Sequence, residues 1–63
     1  MQVRFVSWDF RIPPSAEELA TAIRSFDAGP VYAVALDVGT DDHILVLADQ
    51  PLTTQLARRY WMQ

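Results

Sequence analysis

The chain has 63 residues, of which 51 % are apolar, no cysteine, and a net charge of −3 from eight carboxylates against five arginines. This length predicts one small domain of marginal stability, and the missing cysteine excludes disulfides, thiolate metal sites and thiol chemistry. The acidic balance argues against nonspecific binding to the phosphate backbone of nucleic acids, which needs a basic surface.

The first predicted elements are a strand over residues 2–12 and a helix over residues 15–28. β-Branched and aromatic residues dominate the strand, and Pro13-Pro14 ends it. The helix begins with Ser15-Ala16-Glu17-Glu18, which matches a capping box in which the Ser15 hydroxyl and the Glu18 carboxylate satisfy backbone N–H groups. Gly29-Pro30 ends the helix in the usual order.

Two apolar runs, residues 31–38 and 43–49, flank a turn-forming cluster at residues 39–42 and predict a β-hairpin. With a four-residue loop, the opposed residues are Val38/His43, Leu36/Leu45, Val34/Leu47 and Tyr32/Asp49. Both faces of this hairpin are then apolar, one with large and one with small side chains, whereas a half-solvated hairpin alternates apolar with polar residues. A second helix is predicted over residues 51–62, with Pro51 at its first position and Asp49 or Gln50 as the cap.

The predicted order β-α-β-β-α indicates an α+β fold. A right-handed crossover and an antiparallel third strand give a three-stranded antiparallel sheet of order 1-3-2, with two helices on one face. This arrangement resembles a ferredoxin-like fold that stops before its last strand, a topology that many unrelated functions share. The first strand is then an edge and the helix-free face stays apolar, so we expect a homodimer or a tight protein complex through that face or along residues 3–10.

The sequence Asp41-Asp42-His43, with Asp37 nearby, contains residue types that bind metals. Aspartate is also common in tight turns, and the spacing fits neither an EF-hand nor a zinc site, so we expect no metal and no cofactor. His43 is expected to be an exposed residue at a strand end. No nucleophile, Walker or dinucleotide-binding motif occurs, so we expect no catalytic residue and no enzymatic activity.

Aromatic residues are numerous for this length and lie close to arginines, a composition typical of protein interfaces. We expect Phe5 and Tyr60 in the core and Trp8 and Trp61 at an interface. Stacking of these rings on single-stranded bases is disfavoured by the net negative charge. The residues predicted to bind a partner are Trp8, Phe10, Glu17, Glu18, Asp41, Asp42, Arg58 and Trp61.

These features favour a non-catalytic, acidic interaction protein that acts as an inhibitor or adaptor of a larger, nucleic-acid-processing complex. An acidic surface competes with nucleic acid for a basic groove, as phage-encoded inhibitors of DNA-processing complexes do. A short reading frame suits a phage anti-defence protein of the anti-CRISPR type or a toxin-neutralising immunity protein, although an ordinary solvated surface explains the same carboxylates more simply.

The alternative is a homodimeric structural or regulatory domain that binds a small ligand between its subunits, and a small enzyme ranks third. No apolar run reaches the ~20 residues that span a bilayer. Residues 1–12 also lack the pattern of a signal peptide. We therefore expect a cytoplasmic protein with no membrane partner.

Overall fold

The computed structural model describes residues 1–9, 11–27, 29–39 and 41–62, with every side chain in them except that of Trp8. Five elements follow in order, namely β1 (Val3–Asp9), α1 (Ala16–Arg24), β2 (Tyr32–Asp37), β3 (Asp42–Ala48) and α2 (Thr54–Trp61). The strands form one antiparallel sheet in the order β1-β3-β2. The predicted α+β class, element order and sheet order are therefore confirmed.

Hydroxyl caps start both helices. The Glu18 N–H donates to Ser15 Oγ at 3.1 Å, and the Leu56 N–H donates to Thr53 Oγ1 at 3.1 Å. The cap at Ser15 is the one predicted from sequence. α2 begins later than predicted because Thr53, rather than Asp49 or Gln50, supplies its cap.

β2 and β3 pair one residue out of the predicted register. The opposed residues are Asp37/His43, Leu36/Ile44, Ala35/Leu45, Val34/Val46, Ala33/Leu47 and Tyr32/Ala48. The Val38 N–H donates to the Asp42 carbonyl at 3.2 Å, so the pairing continues closer to the turn than a four-residue loop allows. The predicted loop length was wrong, and because side chains alternate along a strand, this shift turns each β3 side chain to the other face relative to β2.

As a result, the large side chains of β2 and the β-branched side chains of β3 share one face, here called the covered face. α2 packs on it, and the core cluster consists of Leu36, Ile44, Val46 and Ala57. The opposite face, here called the open face, carries Val6 of β1, Ala33 and Ala35 of β2, and Leu45 and Leu47 of β3. Leu47 is buried on this face, whereas the two alanines are exposed and Val6 and Leu45 are half-buried. The Cα atoms span only 15 Å in the thinnest direction, which is room for a sheet and one helix layer about 10 Å away.

α1 contacts the sheet at β1, its edge strand. The Arg4 guanidinium lies 5.4 Å from the centre of the Phe26 ring, just after α1, and also donates to the Val3 carbonyl at 3.0 Å. Phe26 is buried, whereas no residue within α1 is. α1 is therefore attached at the margin of the sheet and, contrary to the sequence prediction, does not pack beside α2 on one face; α2 supplies the helical half of the core.

β1 ends at Asp9, where the chain turns back on itself. The Ile12 N–H donates to the Asp9 carbonyl at 2.8 Å, and the Arg11 N–H donates to Asp9 Oδ1 at 2.9 Å. These bonds end the strand before Ile12, where the sequence predicted its last residue. Position 10, which the prediction also placed in the strand, lies outside the described residues.

Candidate partner-binding surface

Phe5 and Trp61 form an aromatic pair at the margin of the covered face. Phe5 projects from β1, and Trp61 is the last residue of α2. Their ring centres lie 5.6 Å apart at an interplanar angle of 65°, an edge-to-face contact. Phe5 is 44 % exposed and Trp61 is 40 % exposed. The prediction that Phe5 belongs to the core was wrong, because β1 is an edge strand and only the end of α2 reaches it.

A first cleft, of about 570 Å³, lies between α1 and β1. Phe5 and Val6 line its strand side, and Glu17 and Glu18 line its helix side. Both glutamates are exposed, and neither forms an ion pair with another described residue. An apolar wall opposite two carboxylates suits a ligand that carries both apolar groups and positive charge.

A second cleft, of about 440 Å³, is lined by Trp61. Asp42 from the start of β3 and Asp9 from the end of β1 line it together with Ile44. Asp42 is exposed. The aromatic pair therefore borders both clefts, the first through Phe5 and the second through Trp61, and each cleft carries carboxylates.

The Asp9 carboxylate is already engaged inside the chain. Its Oδ2 lies 3.3 Å from the Arg11 Nη2, and its Oδ1 accepts the Arg11 N–H. The backbone bond first, and the guanidinium second, hold the pKa of the Asp9 carboxyl below its ordinary value. Asp42 is thus the carboxylate of the second cleft that is better placed to meet a partner.

The structure gathers several predicted partner-binding residues around the aromatic pair. Glu17 and Glu18 share the first cleft with Phe5, and Asp42 shares the second with Trp61. Arg58 lines a smaller neighbouring cleft with Trp61. Asp41 lies half-buried at the hairpin turn. Of the remaining predicted residues, Phe10 and the side chain of Trp8 lie outside the described part of the chain.

Phe5 and Met62 were missed as candidates for binding. Met62 follows α2 directly, is 75 % exposed, and lines the same small cleft as Trp61 and Arg58. A signal for Phe5 existed, since the predicted sheet order already placed the first strand at an edge, where one flank of each side chain is open. Met62 had no such signal.

The hairpin residues of metal-binding type, for which the sequence predicted no metal, do not converge. His43 Nδ1 lies 2.6 Å from Asp37 Oδ1, across the β2–β3 pair. Asp42 precedes His43 in the same strand and therefore projects from the opposite face. Within the described residues, no three histidine or acidic side chains are close enough together to hold a metal ion. Nor is any described helix long and apolar enough to cross a membrane.

Comparison with known proteins adds no relative, since no family model, no curated protein and no solved structure matches the chain. The resemblance to a ferredoxin-like fold therefore stays an interpretation of the strand order.

Proposed function

We propose that this chain is a non-catalytic interaction protein that binds a basic surface of a partner protein through the aromatic pair and the two clefts beside it. The contact between Phe5 and Trp61 is the observation that carries the proposal. Both rings are packed against each other, yet each leaves about two-fifths of its surface in water. Large aromatic side chains of this kind anchor protein interfaces, because they bury much apolar area with few rotatable bonds.

The charges around the aromatic pair favour a basic partner. Glu17 and Glu18 share the first cleft with Phe5, and Asp42 shares the second cleft with Trp61, in a chain of net charge −3. Carboxylates at the rim of an apolar patch speed the encounter with a positively charged surface and select against acidic partners.

A groove that normally holds nucleic acid is a common basic protein surface, so the proposal extends to an inhibitor or adaptor of a nucleic-acid-processing complex. A phage-encoded anti-defence protein of the anti-CRISPR type, or a toxin-neutralising immunity protein, is its most specific form. In either form the chain acts by covering a surface and has no reaction of its own.

Affinity capture from a lysate of the source cells tests the proposal. Wild-type protein should retain a partner at low salt and lose most of it at about 0.5 M salt, because rim charges are screened. Trp61→Ala should weaken retention roughly tenfold or more, as expected for a central aromatic anchor. Tyr32→Ala, a similarly exposed aromatic residue at the far edge of the sheet, is the matched control and should bind normally.

The triple variant Glu17→Gln, Glu18→Gln, Asp42→Asn should weaken capture at low salt and make the remaining binding insensitive to salt. Asp27→Asn changes an exposed carboxylate that lies outside both clefts and serves as the control. A partner held equally well by wild type, by Trp61→Ala and by the triple variant contradicts the proposal.

A second candidate function is a homodimeric structural or regulatory domain with a small ligand between its subunits. The open face favours it. Ala33 and Ala35 are exposed there, and Val6 and Leu45 are only half-buried. A second copy of the chain is one way to cover these side chains.

A further inference from the structure

Every second residue at the centre of β1 directs its backbone groups away from the sheet, toward the free edge. The Asp49 N–H donates to the Gln2 carbonyl at 3.3 Å, which makes these two residues a hydrogen-bonded pair of the antiparallel ladder. In such a ladder every second residue bonds to the neighbouring strand, so the ladder continues through residues 4, 6 and 8. The residues between them, including Phe5 and Ser7, direct their N–H and C=O groups toward the free edge.

At both ends of this free edge the outward carbonyl groups already accept hydrogen bonds, whereas the backbone groups in its middle do not bond within the described residues. The Arg4 guanidinium donates a hydrogen bond to the Val3 carbonyl, and the Ile12 N–H donates one to the Asp9 carbonyl. Among the described residues, none forms a hydrogen bond with the outward backbone groups of Phe5 or Ser7. Unpaired strand groups of this kind are a template for another strand.

The open part of the edge adjoins the first cleft, whose walls are β1 and α1. Its volume of about 570 Å³ lies within the range of about 300–1,000 Å³ that is usual for ligand sites. No residue within α1 is buried, so little fully buried side-chain surface inside the helix opposes its outward movement. A peptide that adds a strand to a sheet edge beneath a flanking helix is an established mode of recognition.

Building on the proposed function, we infer that the partner inserts an extended segment of about five residues between β1 and α1, with lysine or arginine at every second position. Its backbone pairs with Phe5 and Ser7. Its basic side chains meet the carboxylates of Glu17 and Glu18, and the intervening apolar side chains pack on Phe5. Charge complementarity selects this occupant, since the helix side of the cleft carries two carboxylates with no ion-pair partner among the described residues.

Peptide binding to the 15N-labelled full chain tests this inference. The probe is a capped hexapeptide of alternating valine and arginine, and the control replaces arginine by glutamate. The basic peptide should slow hydrogen exchange at the Phe5 and Ser7 amides, and the acidic peptide should bind at least tenfold more weakly. Exchange that stays unchanged at both amides at saturating basic peptide overturns the inference.

N-methylated versions of the basic peptide separate strand pairing from simple charge attraction. Methyl groups on the amides of one alternate set of residues should weaken binding at least tenfold, because they remove the donors that face β1. Methyl groups on the other set should change the affinity by no more than about twofold relative to the unmethylated peptide. Equal effects of the two patterns contradict strand addition.

Variants of the protein test the two walls of the cleft. The double variant Glu17→Gln, Glu18→Gln should lower the affinity for the basic peptide about fivefold at low salt. The control Asp27→Asn should leave this affinity unchanged. If the protein without peptide is already a dimer and hydrogen exchange at the Phe5 and Ser7 amides is slow, a second copy of the chain pairs with this edge and the inference is overturned.

Two results separate this inference from the proposed function. If a partner binds in a manner that depends on salt and on Trp61 but does not slow hydrogen exchange at the Phe5 and Ser7 amides, the proposed function stands and strand addition is rejected. If the peptide binds at the edge of β1 but no partner is found whose binding depends on Trp61, the edge site stands and the proposed function is rejected.

Discussion

Asp9 shows how one side chain fixes the end of β1. Its carboxylate accepts the Arg11 N–H at 2.9 Å and lies 3.3 Å from the Arg11 guanidinium. These bonds favour the charged form and lower the pKa of Asp9. A group whose pKa is lower in the folded state stabilises the fold above its ordinary pKa, and this contribution disappears as the pH falls through the lowered value.

We therefore expect the Asp9 carboxyl carbon, followed by NMR, to titrate below the ordinary value for an aspartate. In Arg11→Ala the pKa should rise only part of the way back, because the backbone N–H that contributes most is retained. Asp9→Asn should lower the free energy of unfolding near neutral pH. This difference from the wild type should disappear in acid, where the Asp9 carboxyl is protonated in both states. A titration at the ordinary value, or a full return in Arg11→Ala, contradicts this account.

At the scale of elements, the pairing of β2 with β3 decides which side chains form the core. Ile44 is 2 % exposed and lies in the core cluster under α2, whereas Leu45 is half-buried on the open face. In the register expected from a four-residue loop, Leu45 instead faces Leu36 among the large side chains.

Truncation of the two neighbours distinguishes these registers. Ile44→Ala should lower the free energy of unfolding by about 2–4 kcal/mol, and Leu45→Ala by roughly half as much or less, because only Ile44 leaves a closed cavity. Urea denaturation provides the measurement. If Ile44→Ala does not fold, Ile44→Val should still cost about 1 kcal/mol. A larger loss for Leu45→Ala contradicts the observed register.

The element types and their order follow from local signals, and for this reason they could be predicted. Ser15 caps a helix through its own hydroxyl, and Pro13-Pro14 and Gly29-Pro30 separate the elements, although β1 already ends at Asp9 and α1 at Arg24, before the predicted residues 12 and 28. The register could not be predicted in this way, because the same turn residues suit loops of different length and one residue changes every facing pair. At the candidate surface, Trp61 was predicted and Phe5 was not, although the predicted sheet order already placed the first strand at an edge. How far α2 reaches across the sheet then determines how much of Phe5 stays exposed, and local signals do not give this reach.

At the scale of the whole molecule, the chain exposes more surface than its size requires. Its accessible area is 4513 Å², whereas a compact monomer of 7.2 kDa is expected to expose about 4,100 Å². The flat shape, 34 × 27 × 15 Å, accounts for the excess, because α2 packs on the covered face while Ala33 and Ala35 on the open face stay exposed. This excess supports both candidate functions, and the location of the association separates them.

If a second copy covers the open face, we expect weak self-association in sedimentation between about 10 μM and about 1 mM, because a face this small buries less than the ~800 Å² per partner of a stable complex. Ala35→Arg should abolish it by placing a charge at the centre of that face. Ala16→Arg, at an exposed alanine of α1, is the matched control and should leave it intact. A monomer at the highest concentration rejects the homodimer. Association that Trp61→Ala abolishes but Ala35→Arg does not would instead place the contact at the aromatic pair.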